Sequence, residues 1–207
     1  MLARYRGVLV HDRWAPYWTY VGIRHAICNA HIVRDLAAIG EADRYRGWAD
    51  AMVELLIDAK RRCDFSRYHA RTRLARKQQQ WLRARYDELL AEFFTTHPTP
   101  AGGWPKGSYD RDAHNLAVAL RDHRHEILHF TRDLAVPFDN NQAERDLRMA
   151  KLQQKVSGSF RTEHGAHHFA TVRSYIETGR KHGLNPLDAL TQLFNGHPWT
   201  IPTTTTA

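Results

Sequence analysis

The apolar residues of this chain follow two different spacings, and the change from one to the other divides the sequence. Residues 7–10 form a short continuous apolar run rich in β-branched residues, which is typical of a buried strand. Apolar residues then alternate with others over 21–27, which predicts a second strand. A short helix is predicted over 31–39. From residue 43 onward the apolar positions recur at helical spacing, so strands are expected only near the N-terminus.

The helical remainder has a clear central block. Apolar residues at helical spacing cover 43–94 and 110–130, and a Pro- and Gly-rich loop is predicted over 98–107. Two C-terminal helices follow, one ending near Gly183 and one over 186–195, where Asn185 and Pro186 are typical first residues. The central positions expected in the core are Trp48, Met52, Leu55, Leu56, Ala59, Leu74, Trp81, Leu82, Leu89, Phe93, Leu116, Leu120, Ile127 and Phe130.

Glu144 stands at the start of a cationic helix. Asn140 and Asn141 are helix-starting residues, and neither Gly nor Pro follows them until Gly158. Four charged residues fall within roughly 60° of one helical face, namely Glu144, Arg148, Lys151 and Lys155. A neighbouring face, expected to pack down, holds Ala143, Leu147 and Ala150. A carboxylate at the head of a cationic stripe suits a group that holds a metal ion beside a polyanion.

A purely structural role for Glu144 is the alternative. With Asn141 as N-cap, Glu144 occupies the third helical position, which is the reciprocal position of a capping box. Glu144 and Arg148 also have the spacing of an ordinary surface ion pair, worth a few tenths of a kcal/mol. Spacing alone does not separate these roles.

Asp12 is the second acid at the end of a predicted element. It follows the first strand directly, and an acid at a strand's carboxyl end points into the crevice where open sheets bind ligands. The alternative is a turn-forming Asp ahead of Trp14 and Pro16.

Charge is concentrated in one part of this basic chain. The net charge is +8, and residues 60–85 hold ten Lys or Arg and one acid, Asp64. Such clustering is typical of a surface that contacts a phosphate backbone. Arg71, Arg76 and Lys77 are the candidate DNA contacts in this window. A solvated basic helix face is the alternative.

Cys28 and His31 resemble half of a zinc site, since two ligands stand three residues apart. No second pair stands at suitable spacing, and two cysteines are too few for a disulfide scaffold. A buried Cys28 and a polar His31 that orient a nearby site are therefore the preferred interpretation.

The composition predicts a folded chain that does not cross a membrane. Its 207 residues are 43% hydrophobic, enough to fill a core, and no apolar run reaches the roughly 18 residues that a membrane span needs. We expect a cytoplasmic protein with no membrane partner.

Several stretches together resemble the insertion-sequence 66 family of transposases. They are His11-Asp12-Arg-Trp-Ala-Pro-Tyr17, Cys28-Asn-Ala-His31-Ile-Val-Arg34-Asp-Leu, Asn140-Asn141-Gln-Ala-Glu144-Arg145-Asp-Leu-Arg148, Lys155-Val-Ser-Gly-Ser-Phe160, Gly165-Ala166, Ile176-Glu177-Thr178-Gly-Arg180 and Gly183-Leu-Asn-Pro186. The likeness runs from about residue 7 to residue 196. Each stretch alone is a weak signal, but the set is specific.

The resemblance implies DNA transposition by metal-dependent phosphoryl transfer, on an RNase H-like fold. Asp12 would be the second acid and Glu144 the third of an Asp-Asp-Glu triad that binds two Mg²⁺ or Mn²⁺ ions. Cys28, His31, Asn140 and Asn141 would support the site. The partners would be transposon-end and target DNA, with a second copy or other transposase subunits. The cations expected along the DNA beside the metal are Arg145, Arg148, Lys151, Lys155 and Arg161.

The chain departs from the family pattern at the first acid. That acid belongs on an earlier strand, and no Asp or Glu precedes Asp12. We therefore expect a C-terminal portion of the catalytic domain with little or no strand transfer by itself. A non-catalytic remnant that binds DNA through its basic helices is the competing hypothesis.

The expected fold is mostly helical α+β. It is a partial RNase H-like fold with one or two remaining strands, an all-helical insertion and C-terminal helices. The predicted parts are a sheet remnant with the second acid over 1–40, the insertion over 41–133, the Glu144 helix and its successors over 134–196, and a flexible tail over 197–207.

Overall fold

The two N-terminal apolar runs pair as neighbouring parallel strands in the computed structural model. Strand β1 (Val8–His11) lies beside β2 (Arg24–Ile27), with Val8 opposite Arg24 and His11 opposite Ile27. Parallel neighbours need a crossover of about a dozen residues, and here residues 12–23 supply it, including a 3₁₀ turn at Ala15–Thr19. Both predicted strands are thus present, the second shorter than expected.

The structure describes residues 5–156, 158 and 160–202, without the side chains of Ala150 and Gln154. The chain divides after Asn140 into two compact units. Residues 157 and 159 of the 155–160 motif, and residues 203–207 of the predicted tail, lie outside the described part. The boundaries proposed for the functional parts of the chain stay predictions.

Helices make up the rest of the first unit. They are α1 (Asn29–Ile39), α2 (Asp43–Tyr68), α3 (Arg76–Thr96), α4 (Tyr109–Asp122), α5 (Arg124–Ile127) and α6 (His129–Arg132). The region predicted as one helix over 110–130 is broken at His123, where the backbone leaves helical geometry (φ −106°, ψ 21°). Helices α2 and α3 are separated by a turn at Ala70, whose φ of 54° is left-handed.

The core of this unit lies where the helical spacing predicted it. The predicted Met52, Leu56, Leu82, Phe93 and Phe130 are buried, and Tyr45 and Tyr86, which were not predicted, are buried with them. The prediction that Trp81 lies in the core is wrong, because half of its surface is exposed. The Arg62 guanidinium lies over the Trp81 ring, 5.1 Å from the ring centroid, so the indole packs against this arginine at the surface and not into the core.

The second unit is a three-helix segment with few buried side chains. It consists of α7 (Asn141–Val156), α8 (Glu163–Lys181) and α9 (Pro186–Phe194). As predicted, the Asn185 side chain caps α9 by accepting from the Leu187 N–H at 2.8 Å. Within this unit, the Lys181 ammonium donates to the Asp146 carboxylate and so ties α8 to α7.

The packing face predicted on α7 is more exposed than expected. Ala143 is exposed, and Leu147 leaves 57% of its surface in solvent although it lines an apolar cavity of about 300 Å³ with Phe160 and Phe169. The physical reason is the size of the unit, since among its described residues only Gly179 and Ala189 of the helices are buried.

The molecule is therefore mostly helical with one small parallel sheet, as an α+β chain should be. Among the described helices, none is long and apolar enough to cross a membrane.

Candidate functional site

Asp12 lies at the carboxyl end of β1, directly after the buried His11. Its side chain is exposed, and its Oδ1 accepts a hydrogen bond from the Trp14 N–H at 3.2 Å. Arg13 between them has a left-handed φ of 71°, a conformation that costs energy outside glycine. The turn-forming role is thus observed, and it leaves the carboxylate facing solvent.

A chain of histidine hydrogen bonds holds the backbone beside Asp12. The Arg13 N–H donates to His11 Nδ1 at 3.3 Å, so the ring proton of neutral His11 must sit on Nε2. His11 Nε2 then donates to His25 Nδ1 at 3.1 Å, and His25 Nε2 donates to the Tyr20 carbonyl at 3.3 Å. One backbone donor thereby fixes the tautomers of both histidines.

His11 is neutral at physiological pH. Burial, followed by the nearby His25, lowers its pKa from 6.5 to about 4, while Asp12 acts in the opposite direction. Aromatic rings surround the His11–His25 pair. The Trp18 ring contacts His11 edge-on, with ring centroids 4.7 Å apart, and stacks on His123, with ring centroids 4.5 Å apart. His25, the second residue of β2, was not a candidate site residue, because its hydrogen bond to His11 depends on how the two strands pair.

The corner between β2 and α1 fixes the segment that leads into α7. The Asn140 N–H donates to the Cys28 Sγ at 3.3 Å, and the Asn29 N–H donates to the Phe138 carbonyl at 2.9 Å. The buried Asn29 amide also donates to the Ile127 carbonyl at 3.0 Å. Cys28 and Asn140, both predicted to support a site, are thus brought together within the first unit.

Cys28 behaves as a structural thiol. It is fully buried, and burial raises its pKa. Zinc binds the thiolate, so a zinc ion at Cys28 would have to displace the thiol proton. His31 lies half-buried in the first turn of α1.

The second unit carries Glu144 and most of the predicted DNA contacts. Glu144 is half-buried in the first turn of α7. Asn141, the first residue of α7, is also half-buried. The cations of this unit that were predicted to contact DNA are all exposed, namely Arg145, Arg148, Lys151, Lys155 and Arg161. Because Asp12 and Glu144 belong to different units, their convergence on one metal stays a prediction.

The basic window over 60–85 is only partly free to bind an anion. In the part of α2 within it, Asp64 pairs with Lys60 and Arg67, and Arg62 pairs with Asp58. Arg71, Arg76 and Lys77 are exposed beyond that helix, and the structure pairs none of these three with an acid among the described residues. The turn over 70–76 and the start of α3 therefore hold a group of neighbouring cations that are available to an anion.

Comparison with known families gives one result. The family model of the transposase IS66 family matches residues 1–168, well over half of the chain. No curated protein and no solved structure matches. The matched region contains both acids, the histidine pair and the basic window. The chain therefore belongs to the IS66 family of transposases.

Proposed function

We propose that the chain contributes Asp12 and Glu144, as the second and third acids of an Asp-Asp-Glu site, to DNA strand cleavage and joining during transposition. The observation that carries the proposal is the exposed Asp12 carboxylate at the carboxyl end of a parallel strand. Ligands of open sheets with parallel strands bind at that end. An RNase H-like fold is part of the same proposal, and the parallel strand pair followed by helices supports it.

The residues around Asp12 suit a hard divalent cation. Only one Asp12 oxygen is engaged among the described residues, by the Trp14 N–H, so the other oxygen is available. Mg²⁺ and Mn²⁺ prefer oxygen ligands, whereas the nearby Cys28 thiol is buried and protonated. Two such ions, held by Asp12 and Glu144, would activate a water or a DNA 3′-hydroxyl and stabilise the leaving oxygen.

The other residues of the proposed site bind and orient. The His11–His25 chain holds the backbone on which Asp12 stands. The Cys28–Asn140 contact fixes the segment from which the chain enters α7, four residues before Glu144. The exposed cations of α7 and Arg161 would neutralise phosphates, which positions DNA without selecting sequence.

The proposed Asp-Asp-Glu site still needs its first acid. No Asp or Glu precedes Asp12 in the printed sequence, and we propose that the first acid of the site comes from outside these residues. Two carboxylates hold a pair of divalent ions less tightly than three. We therefore expect weak nicking and little strand transfer from this chain by itself.

A nicking assay on supercoiled DNA tests the proposal. We expect weak nicking that requires Mg²⁺ or Mn²⁺ and that disappears in Glu144→Ala and in Asp12→Asn, because each substitution removes a metal ligand. Asp122→Asn is the matched control, since Asp122 is an exposed acid paired with Arg121, and it should nick as the unchanged chain does. Equal nicking by all four proteins would contradict the proposal.

DNA binding without catalysis is the second candidate function. It is favoured by the exposed arginines of the 70–76 turn, which the structure leaves without acidic partners among the described residues. This candidate predicts salt-sensitive binding, with Lys151→Ala lowering the salt slope by about 1. Binding that is equally tight at low and high salt would exclude it.

A further inference from the structure

An arginine-lined depression runs along the first unit beside the 70–76 turn. Two adjoining cavities, of about 880 and 690 Å³, share Thr72 and Arg73 in their walls. The larger lies on the turn, and the smaller extends over α5 and α6 to the start of β2. We call these two adjoining cavities together the arginine cleft.

The turn that forms one wall is held by backbone hydrogen bonds. The Leu74 N–H donates to the Thr131 carbonyl at 3.0 Å, and the Leu134 N–H donates to the Thr72 carbonyl at 2.8 Å. Leu74 is buried between these contacts, whereas Arg73 before it is exposed. The guanidinium of Arg73 is therefore carried on a fixed backbone, which reduces the entropy lost when it binds an anion.

Arg132, in the wall contributed by α6, forms no ion pair among the described residues, although Glu126 lies in the same wall. Its guanidinium donates to the Nε2 and the carbonyl oxygen of His125, both of them uncharged acceptors. Among the described residues, no carboxylate pairs with it, and its Nε is buried without a hydrogen-bond partner. Burial, followed by the neighbouring Arg83, lowers the pKa of Arg132, while Glu126 acts in the opposite direction. A partly buried cation without an ion-pair partner attracts an incoming anion more strongly than a fully solvated cation does, because the local dielectric constant is lower.

The charges along the cleft favour an anion of some length. Five arginines line it, namely Arg24, Arg71, Arg73, Arg76 and Arg132, against the two acids Glu126 and Asp133. Asp133 is itself 3.9 Å from Arg24. Positive charge spread over two joined cavities matches a chain of phosphates better than a single small anion.

The cleft lies at the opposite end of the sheet from Asp12. Arg24 is the first residue of β2 and pairs with Val8 at the start of β1, whereas Asp12 follows the end of β1. Four residues at ~3.3 Å each separate these positions by about 13 Å along the strands. An anion in the cleft is therefore remote from the phosphate that would react at Asp12.

We propose that the arginine cleft binds the phosphodiester backbone of DNA at a place separate from the reacting phosphate. This inference rests on the proposed function, because it takes DNA as the partner. The cleft contributes binding and positioning, while the chemistry stays with the carboxylates. Arg73→Ala and Arg132→Met should therefore each weaken DNA binding.

Salt-dependent binding of a fluorescent DNA duplex to the full chain tests the cleft. The logarithm of the binding constant falls linearly with the logarithm of the salt concentration, and each lost phosphate contact should make this slope less steep by about 0.9. Arg73→Ala should therefore reduce the magnitude of the slope by about 1. Arg121→Ala is the matched control, because Arg121 is exposed, lies outside the cleft and pairs with Asp122. It should leave the slope unchanged.

Footprinting of the unchanged chain with an arginine-specific dicarbonyl reagent provides a second readout that needs no variant. DNA should protect Arg73 and Arg132 but not Arg121. If DNA binds with strong salt dependence although Arg73→Ala does not change the slope and DNA does not protect Arg73 or Arg132, the cleft assignment is wrong and the proposed function stands.

Two further results would also overturn the assignment. A chain that binds no DNA would overturn both the cleft and the proposed function. Protection by inorganic phosphate at equal ionic strength, with none by DNA, would reveal a small-anion site instead.

Discussion

Asn29→Ala is expected to lower the free energy of unfolding of the first unit by about 2 to 3 kcal/mol. The Asn29 amide is 1% exposed and donates to the carbonyls of Ile127 and Ile27 at 3.0 and 3.3 Å. Each buried acceptor left unpaired costs about 1–3 kcal/mol. The sum is reduced because the Asn29 Oδ1 is itself buried without a hydrogen bond among the described residues, and alanine removes that atom.

Denaturant unfolding of the full chain measures this loss. Asn115→Ala is the matched control, because Asn115 is exposed on α4 and should change stability by no more than about 0.5 kcal/mol. Cys28 gives a local readout, since its buried thiol should be alkylated faster when the corner loosens. Equal stability and equal alkylation of the Asn29 and Asn115 variants would show that the corner does not depend on this amide.

The second large effect is a loss of stability in acid that depends on His11. The unfolded chain takes up a proton at His11 below pH 6.5, but the folded chain does so only near pH 4. Between these values the unfolded state binds more protons, so stability falls as the pH falls. The linked loss reaches about 3 kcal/mol at pH 4 and below.

The difference between the chain and its His11→Gln variant isolates this effect, because other groups titrate in both proteins. Glutamine can still accept from the Arg13 N–H but does not titrate. The unfolding free energy of the unchanged chain should fall more steeply than that of the variant from pH 6.5 to 4. Parallel curves would show that His11 is not held neutral by the fold.

The fold was predictable where one local pattern decides it. The core positions Met52, Leu56 and Leu82 follow helical spacing and are buried as expected, because a long amphipathic helix has one way to cover its apolar face. Trp81 fits the same spacing but lies at the surface beneath Arg62. Spacing places a residue on a face, and it does not say how far that face is covered.

The sequence allowed the acids of the candidate site to be predicted, but it did not allow the spatial arrangement of the residues around them to be predicted. Asp12 after a strand and Glu144 at a helix start were visible in the sequence. The histidine chain was not, because it joins His11 to His25 through the parallel register of two strands, which no local pattern specifies. The arginine cleft was hidden for the same reason, since Arg24, Arg73 and Arg132 lie far apart along the chain.

Binding of Mn²⁺, followed by the electron paramagnetic resonance signal of the free ion, tests most directly whether Asp12 and Glu144 share one cation. We expect the chain to bind Mn²⁺ weakly and in competition with Mg²⁺. Asp12→Asn and Glu144→Gln should each weaken this binding by at least about tenfold, whereas Asp122→Asn should leave it unchanged. Binding that survives in either site variant at the affinity of the unchanged chain would contradict a shared metal site.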